Sequence, residues 1–173
     1  MRMYQLQRNV VLPGIHILTP RRFDDDRGYF MELFRMDMED FLEGDTIVQS
    51  NCSMTFPGIV RAWHRHQRGQ NDYFAVLRGV LKICAYDDRP GSETRGELFE
   101  TVVHATGPRI IRMPGHYWHG IMALGIEPAI LVYFVTKMYD PHNPDEERRP
   151  WNDPTIIDPR TGQPFDWFRP PHR

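Results

Sequence analysis

The chain has 173 residues, 40% of them hydrophobic and 25% charged, with a formal net charge of −2. This size predicts a single domain with a substantial core, and the nearly balanced charge argues against a nucleic-acid-binding or membrane-surface protein. The N-terminus lacks the apolar core of a signal peptide, and no apolar run approaches the ~20 residues of a membrane-spanning helix.

Short β-type segments separated by proline and glycine follow one another along most of the chain. In chain order they are GIHILTP, GYFMELF, TIVQSNCSM, GIVRAWH, DYFAVLRGVLKICAYDD, LFETVVHA, RIIRMP, GIMAL and PAILVYFVT. Many short strands at turn-separated intervals predict an all-β sandwich or barrel. One short helix is expected in DMEDFLEG, with Asp37 as its N-cap and Gly44 at its end. Cys52 and Cys84 have no paired spacing, which favours free thiols and a cytoplasmic location.

The composition changes after Tyr139, where the chain becomes rich in proline and charge. Residues 140–173 are therefore expected to form an irregular C-terminal extension of a single domain that spans residues 1–173. Four aromatic side chains make this extension too apolar for a solvated tail: Trp151, Phe165, Trp167 and Phe168. We expect it to pack on the barrel or on a partner subunit.

Six motifs, in order over roughly residues 10–157, resemble those of the dTDP-4-dehydrorhamnose 3,5-epimerase family. The matching segments are FDDDRGYFMELF, TIVQSNCS, GIVRAWH, RMPGHYWHGIMAL, LVYFVTKMYDP and WNDPTI. The resemblance implies a cupin jelly roll, or double-stranded β-helix, and a homodimer that exchanges N-terminal strands. It also implies a nucleoside-diphosphate 4-keto-6-deoxy sugar, dTDP-linked, as the substrate. It implies no metal and no other cofactor.

Epimerisation beside a ketone requires a base, an acid on the opposite face and a group that stabilises the enolate oxygen. By the resemblance, His64 is the base and Tyr133 is the acid. The residues alone leave another interpretation open, in which both side chains are hydrogen-bonded or packed inside the barrel. The resemblance also assigns substrate contacts: the diphosphate to Arg27 and Arg61, the nucleotide or sugar to Glu32, Gln49 and Asn51, the sugar pocket to His119, and base stacking to Tyr139.

The family pattern fails where the family places a lysine that stabilises charge on the sugar's C4 oxygen. The matching position here is Asp72, and a carboxylate opposes an enolate unless it is protonated or directed elsewhere. A cationic His66 or His119 is then the candidate for the stabilising group. The family's aspartate that partners the catalytic histidine has no clear match either. The candidates for that partner are Asp153, Asp158 and Asp166.

Three alternatives stay open. Gly58, His64 and His66 match the first metal motif of cupins, G-x5-H-x-H, and Asp72 and His119 would complete a four-ligand site for Fe, Mn, Ni or Zn. The segment VRAWHRH resembles an element of the sugar-nucleotide 3,4-ketoisomerases, which are metal-free cupins. Loss of the lysine is also compatible with a non-catalytic cupin that binds a sugar nucleotide.

Overall fold

The computed structural model describes residues 3–170, and this part of the chain forms β-strands and one short helix. The elements are β1 (Tyr4–Arg8), β2 (His16–Pro20), β3 (Arg22–Asp25), β4 (Gly28–Met31), α1 (Glu39–Leu42), β5 (Gln49–Thr55), β6 (Val60–His66), β7 (Asn71–Arg78), β8 (Val80–Tyr86), β9 (Leu98–His104), β10 (Ile110–Pro114), β11 (Trp118–Leu124), β12 (Ala129–Val135), β13 (Glu146–Arg148), β14 (Ile157–Asp158) and β15 (Gln163–Pro164). The prediction of an all-β protein is confirmed. Within residues 3–170, no helix is long and apolar enough to cross a membrane.

Most of the strands belong to two antiparallel sheets. The large sheet has the order β1-β2-β10-β7-β12-β5, and the small sheet has the order β13-β6-β11-β8-β9. The chain passes from one sheet to the other between β7 and β8, at Gly79. Gly79 has a φ of 72°, which a residue with a side chain adopts only with strain. The predicted pair of strands joined at Arg78 and Gly79 is therefore confirmed.

The main hydrophobic core lies between the two sheets. Phe74 and Leu131 from the large sheet are buried with Ile83 and Ile121 from the small sheet. Alternate residues of a strand point to opposite faces, so the outer face of each sheet needs its own cover. Helix α1 supplies this cover for the large sheet, where Phe41 packs in a second cluster with Leu18, Tyr73 and Ile110.

Helix α1 lies where the sequence predicts a helix, but the predicted N-cap is wrong. The helix is capped by Met38, which makes no side-chain hydrogen bond to it. The Asp37 carboxylate instead accepts a hydrogen bond of 2.6 Å from the Arg35 guanidinium. A charge-assisted hydrogen bond with a neighbouring side chain has therefore outcompeted the cap.

The C-terminal segment covers the outer face of the small sheet. Phe165 and Trp167 are buried there, and the Trp167 ring lies 4.9 Å from the Trp63 ring between centroids. The indole N–H groups of Trp63 and Trp167 both donate to the Trp151 carbonyl oxygen, at 3.2 and 3.1 Å. The Lys82 ammonium donates to the Trp167 carbonyl oxygen at 2.7 Å. These contacts attach the proline-rich segment to the same chain.

Replacing the buried indole of Trp167 is expected to be strongly destabilising. The side chain has no exposed surface, and removing a large buried aromatic group costs about 3–5 kcal/mol of unfolding free energy. Urea denaturation of Trp167→Ala measures this loss. The matched control is Phe168→Ala, because Phe168 is the next residue and is half exposed. Equal, small losses in both variants would contradict the role of Trp167.

Candidate active site

A cleft of about 740 Å³ lies between the two sheets, within the size range of small-molecule sites. Strands β5, β7 and β12 form one wall, and β6, β11 and β13 form the other. The lining includes Gln49, Asn51, Arg61, His64, His66, Asp72, His119, Tyr133 and Tyr139. The structure therefore brings together most of the residues that the sequence singles out.

An irregularity in the pairing of β6 with β11 turns Arg61 and His64 to the same side. His64 pairs with His119 and Arg61 pairs with Ile121, so two residues of β6 oppose one residue of β11. Without this β-bulge, residues three apart on a strand would point to opposite faces. The single residue opposite the bulge is Gly120, where an added Cβ would lie 2.3 Å from the Ala62 Cβ. Glycine is therefore required for the close approach of the two strands.

Three buried side chains from three strands form a cluster in the cleft wall. His66 is the last residue of β6, Asp72 is the second residue of β7 and His119 is the second residue of β11; their exposures are 7%, 3% and 3%. The Asp72 Oδ2 lies 3.6 Å from His66 Nε2 and 3.5 Å from His119 Nε2. Burial raises the pKa of Asp72, but the two imidazoles outweigh this effect and leave the pKa below its usual range. Asp72 is therefore an ionised carboxylate that faces two histidines.

His64 is chemically distinct from the other two histidines of the cleft. Burial lowers the pKa of His64 to about 4, against the opposing attraction of Glu146. For His66, burial again lowers the pKa, but the facing Asp72 outweighs it and the pKa is raised. The His64 imidazole is therefore neutral near pH 7 and able to accept a proton.

Tyr133 faces the cleft from the opposite wall. It lies on β12, beside Asn51 of β5 and Phe74 of β7, whose side chains also line the cleft. Burial raises the pKa of Tyr133, and the nearby carboxylates of Asp72 and Glu146 raise it further. The phenol is therefore protonated at neutral pH and able to donate a proton.

Arg61 and Tyr139 give the cleft a cationic side chain, which can contact an anion, and an aromatic ring, which can stack on a planar group. The Arg61 guanidinium donates to two neutral oxygens, Thr55 Oγ1 and the Met54 carbonyl, both at 3.1 Å. These partners hold the side chain without neutralising its charge. Gln49 accepts a hydrogen bond of 3.0 Å from the Tyr139 backbone N–H, which fixes the exposed Tyr139 at the cleft.

Two predicted substrate contacts lie outside the cleft lining of their own chain. Arg27 occupies the turn between β3 and β4, where its guanidinium is exposed and pairs with Asp25 at 2.6 Å. Glu32 follows β4 and pairs with Arg35 at 2.9 Å. Both residues therefore lie on or next to the β3–β4 hairpin, and neither lines the cleft of its own chain.

The aspartates suggested as partners for His64 have other partners. Asp153 pairs with Arg149, Asp158 pairs with Arg160 and Arg169, and Asp166 accepts from the Phe168 backbone N–H. The carboxylates that act on the cleft histidines are instead Asp72 and Glu146, with Asp145 acting on His66 as well.

Sequence reasoning missed several polar residues that line the cleft. These are Arg68, Gln70, Lys137, Asp145, Glu146 and Arg148. Arg148 and Glu146 reach the site because β13 pairs with β6, with Arg148 opposite His64 and Glu146 opposite His66. The EERR segment has no strand-like hydrophobic pattern, so the sequence has no signal for this pairing. Gln70 could have been noticed because it lies in the sequence between His66 and Asp72, two of the three residues of the cluster.

Comparison with known proteins agrees with this site. The sequence profile of the dTDP-4-dehydrorhamnose 3,5-epimerases matches residues 9–158. The chain belongs to the dTDP-4-dehydrorhamnose 3,5-epimerase family. A probable low-salt glycan biosynthesis epimerase of Haloferax volcanii is 43% identical over 144 residues, which are 82% of this chain and 91% of that protein. The dTDP-4-dehydrorhamnose 3,5-epimerase of Methanothermobacter thermautotrophicus is 34% identical, over 84% of this chain and 78% of its own length.

Solved structures of epimerases share the fold. The Legionella pneumophila dTDP-6-deoxy-D-glucose 3,5-epimerase, crystallised with dTDP-4-keto-L-rhamnose, matches with a TM-score of 0.79 and 28% identity. The match covers 88% of this chain and 81% of that one. A 4-keto-6-deoxy sugar epimerase from Streptomyces spheroides matches with a TM-score of 0.78 and 28% identity, over 95% and 83% of the two chains. The expected cupin jelly roll is confirmed, and the chain is an isomerase of the sugar-nucleotide epimerase class.

Proposed function

We propose that this epimerase inverts C3, C5 or both carbons of a dTDP-linked 4-keto-6-deoxy sugar through an enolate. The observation that carries the proposal is the pair formed by His64 and Tyr133, a neutral imidazole and a protonated phenol on opposing walls of one cleft. The dTDP-sugar complex of the Legionella relative supports the choice of substrate.

The reaction needs one proton removed and one proton returned. His64 takes the proton from a carbon next to the ketone, and the electron pair of that C–H bond moves to the ketone oxygen as an enolate. Tyr133 donates a proton to the same carbon from the opposite wall, which inverts the configuration. Both groups begin in the protonation states that these steps require.

The enolate oxygen needs a positive charge beside it. We assign this role to the cluster of His66, Asp72 and His119, which lies in the cleft wall. Asp72 does not oppose the enolate because its charge is directed at the two imidazoles. A proton or a metal ion held by the cluster would supply the positive charge for which the family pattern uses a lysine.

The nucleotide occupies the part of the cleft near Arg61 and Tyr139. A guanidinium held by neutral oxygens is free to pair with phosphate oxygens. The exposed Tyr139 ring offers a surface for base stacking, which tolerates different bases. Gln49 and Asn51, joined by a 2.8 Å hydrogen bond, offer polar atoms to the nucleotide or sugar.

Arg61→Ala is expected to weaken dTDP binding at least tenfold, because a hydrogen bond to a charged group contributes about 1.5–3 kcal/mol. Isothermal titration of the variant with dTDP measures the loss. Arg78→Ala is the control, because Arg78 is an exposed arginine that pairs with Glu127 outside the cleft. A change of less than twofold in the dTDP affinity of Arg61→Ala would show that Arg61 does not bind the diphosphate.

We also propose a homodimer in which the β3–β4 hairpin packs on the partner subunit. Tyr29 and Phe30 of this hairpin are exposed aromatic side chains, which a monomer would leave in water. Packing would bring Arg27 and Glu32 to the partner's cleft, where they could contact the substrate. Sedimentation equilibrium is expected to give the mass of two chains, and a stable monomer would contradict the exchange. We place this dimer in the cytoplasm, since Cys52 and Cys84 are both free thiols.

The proposed reaction is tested by solvent exchange. The protein is incubated in D₂O with dTDP-4-keto-6-deoxyglucose, and NMR and mass spectrometry follow the sugar. Deuterium at C3, C5 or both, with formation of an inverted sugar, is the expected result. Absence of deuterium with dTDP-, UDP- and GDP-linked substrates would overturn the proposal. Deuterium at C3 together with a ketone moved from C4 to C3 would instead identify a 3,4-ketoisomerase.

A further inference from the structure

We propose that His66, Asp72 and His119 bind a divalent transition-metal ion in the wall of the cleft. One ligand atom from each of the three side chains lies within 4.8 Å of the other two. The binding itself is independent of the proposed function. The role that we assign to the ion, a positive charge beside the enolate oxygen, rests on that function.

The spacing of the three groups fits ligands of a shared ion better than direct hydrogen bonds. The Asp72 Oδ2 lies 3.6 Å from His66 Nε2 and 3.5 Å from His119 Nε2. A charge-assisted hydrogen bond between such groups is shorter, about 2.7–2.9 Å. Two ligands that each bind one tetrahedral ion at about 2.1 Å are about 3.4 Å apart. Both distances to Asp72 Oδ2 are close to this separation, and the ligand atoms of His66 and His119 lie within 4.8 Å of each other.

The hydrogen bond of His119 fixes which nitrogen faces Asp72. His119 Nδ1 lies 3.0 Å from the Tyr117 carbonyl oxygen. A carbonyl oxygen only accepts, so Nδ1 carries the proton and the neutral imidazole has its lone pair on Nε2. Metal-binding histidines are commonly held in this way, with the distal N–H donated to a backbone carbonyl.

Gln70 and Asp72 both lie beside the Nε2 nitrogen of His66. The Gln70 Nε2 amide donates to Asp72 Oδ1 at 2.8 Å, which sets its orientation. The same amide nitrogen lies 3.2 Å from His66 Nε2. An imidazole nitrogen has one lone pair, so an ion bound at His66 Nε2 would replace this contact with the amide. With a lone pair on both Nε2 atoms, the two imidazoles and the Asp72 carboxylate form a donor set for one metal ion; with a proton on either Nε2 atom, the same cluster is an imidazolium–carboxylate pair.

The donor set and its position suit a catalytic ion. Two imidazoles and one carboxylate bind Zn, Mn, Fe or Ni ions. The ligands come from strands β6, β7 and β11, so the surrounding sheets hold them rigidly. All three residues line the cleft, which leaves the remaining coordination positions facing the substrate. A metal ion there would act as a Lewis acid on the ketone oxygen.

His64 is not part of this ligand group, in contrast to the four-ligand site suggested by the cupin motif. The His64 and His119 rings are 6.4 Å apart between centroids and nearly perpendicular. The metal and the base therefore occupy separate places, and His64 keeps a free nitrogen for proton abstraction.

Metal analysis of the full chain with its purification tag removed tests the site directly. Elemental analysis of the protein from metal-supplemented medium is expected to give about one transition-metal ion per chain. After chelation, the protein is titrated with Co²⁺, and its visible absorption reports both affinity and coordination. Asp72→Asn is expected to weaken Co²⁺ binding at least about a hundredfold, and His119→Gln is expected to do the same if Asp72→Asn does not fold. The exposed His104 provides the control variant His104→Gln, whose Co²⁺ affinity should equal that of the wild type.

Two results would overturn the metal site. One is a metal content below about a tenth of an ion per chain after loading, and the other is equal Co²⁺ affinity in wild type, Asp72→Asn and His119→Gln. Either result would leave a shared proton as the cation, in an imidazolium–carboxylate pair. Solvent exchange separates the two proposals. Exchange without metal binding would support the epimerase and contradict the metal site. Metal binding without exchange would support the metal site and contradict the epimerase.

Discussion

His64→Gln is expected to lower the rate of deuterium incorporation from D₂O into the sugar by about a thousandfold or more. General bases contribute about 10²–10⁴-fold to catalysis, and Gln has no nitrogen that accepts a proton at neutral pH. The variant should bind dTDP as tightly as the wild type, because the contacts assigned to the diphosphate lie at Arg61 rather than at His64. The measurement is NMR of the sugar protons over time, together with dTDP titration.

The control for this variant is His116→Gln, since His116 is exposed in the turn before β11 and does not line the cleft. Its exchange rate should equal that of the wild type. Wild-type exchange in His64→Gln would show that another group removes the proton. Loss of both exchange and dTDP binding would point to a disturbed cleft, which a melting curve of the variant would reveal.

The strands of this protein can be predicted because their side-chain pattern is local. The same period of two correctly places His64 and His66 on one face of β6. It cannot place Arg61 on that face, because the bulge opposite Gly120 comes from the pairing of β6 with β11. That pairing joins residues about sixty positions apart, so no short stretch of sequence encodes it.

The sequence grouped Asp72 with His66 and His119 only within a four-ligand metal motif that also included His64, and the structure leaves His64 out of this group. Compared with the family pattern, Asp72 looks like the loss of a stabilising charge. Its meaning depends on His119, which β11 places 3.5 Å from its Oδ2, and on His66 across the loop from β6 to β7. A substitution that seems to remove one function therefore belongs to a group of three side chains that face one another in the wall of the cleft.

For the C-terminal extension, packing could be predicted from the sequence, but the surface on which it packs could not. Its aromatic residues correctly suggested packing, because Trp167 could not remain in water at low cost. Which surface it covers depends on Trp63 and the outer face of the small sheet, and neither could be located before the sheet order was known.

Tyr133→Phe is expected to lower the rate of product formation by about 10²–10³-fold, within the range of a general acid. The substitution removes only the hydroxyl group, so the packing of the ring against Phe74 should persist. Proton removal by His64 does not require the phenol. The enolate should therefore still form and return to substrate, with deuterium delivered from the His64 side. The expected result is exchange into unreacted substrate that exceeds the formation of inverted sugar.

The comparison of exchange with inversion is what separates an acid from a packing residue. Tyr86→Phe is the matched control, because Tyr86 lies on β8 in the cluster on the outer face of the small sheet. Both rates should remain at the wild-type level in that variant. A parallel fall of exchange and inversion in Tyr133→Phe would mean that the phenol supports substrate binding or the fold. Unchanged inversion would mean that water or His119 delivers the second proton, and the two-wall mechanism would then fail at its second step.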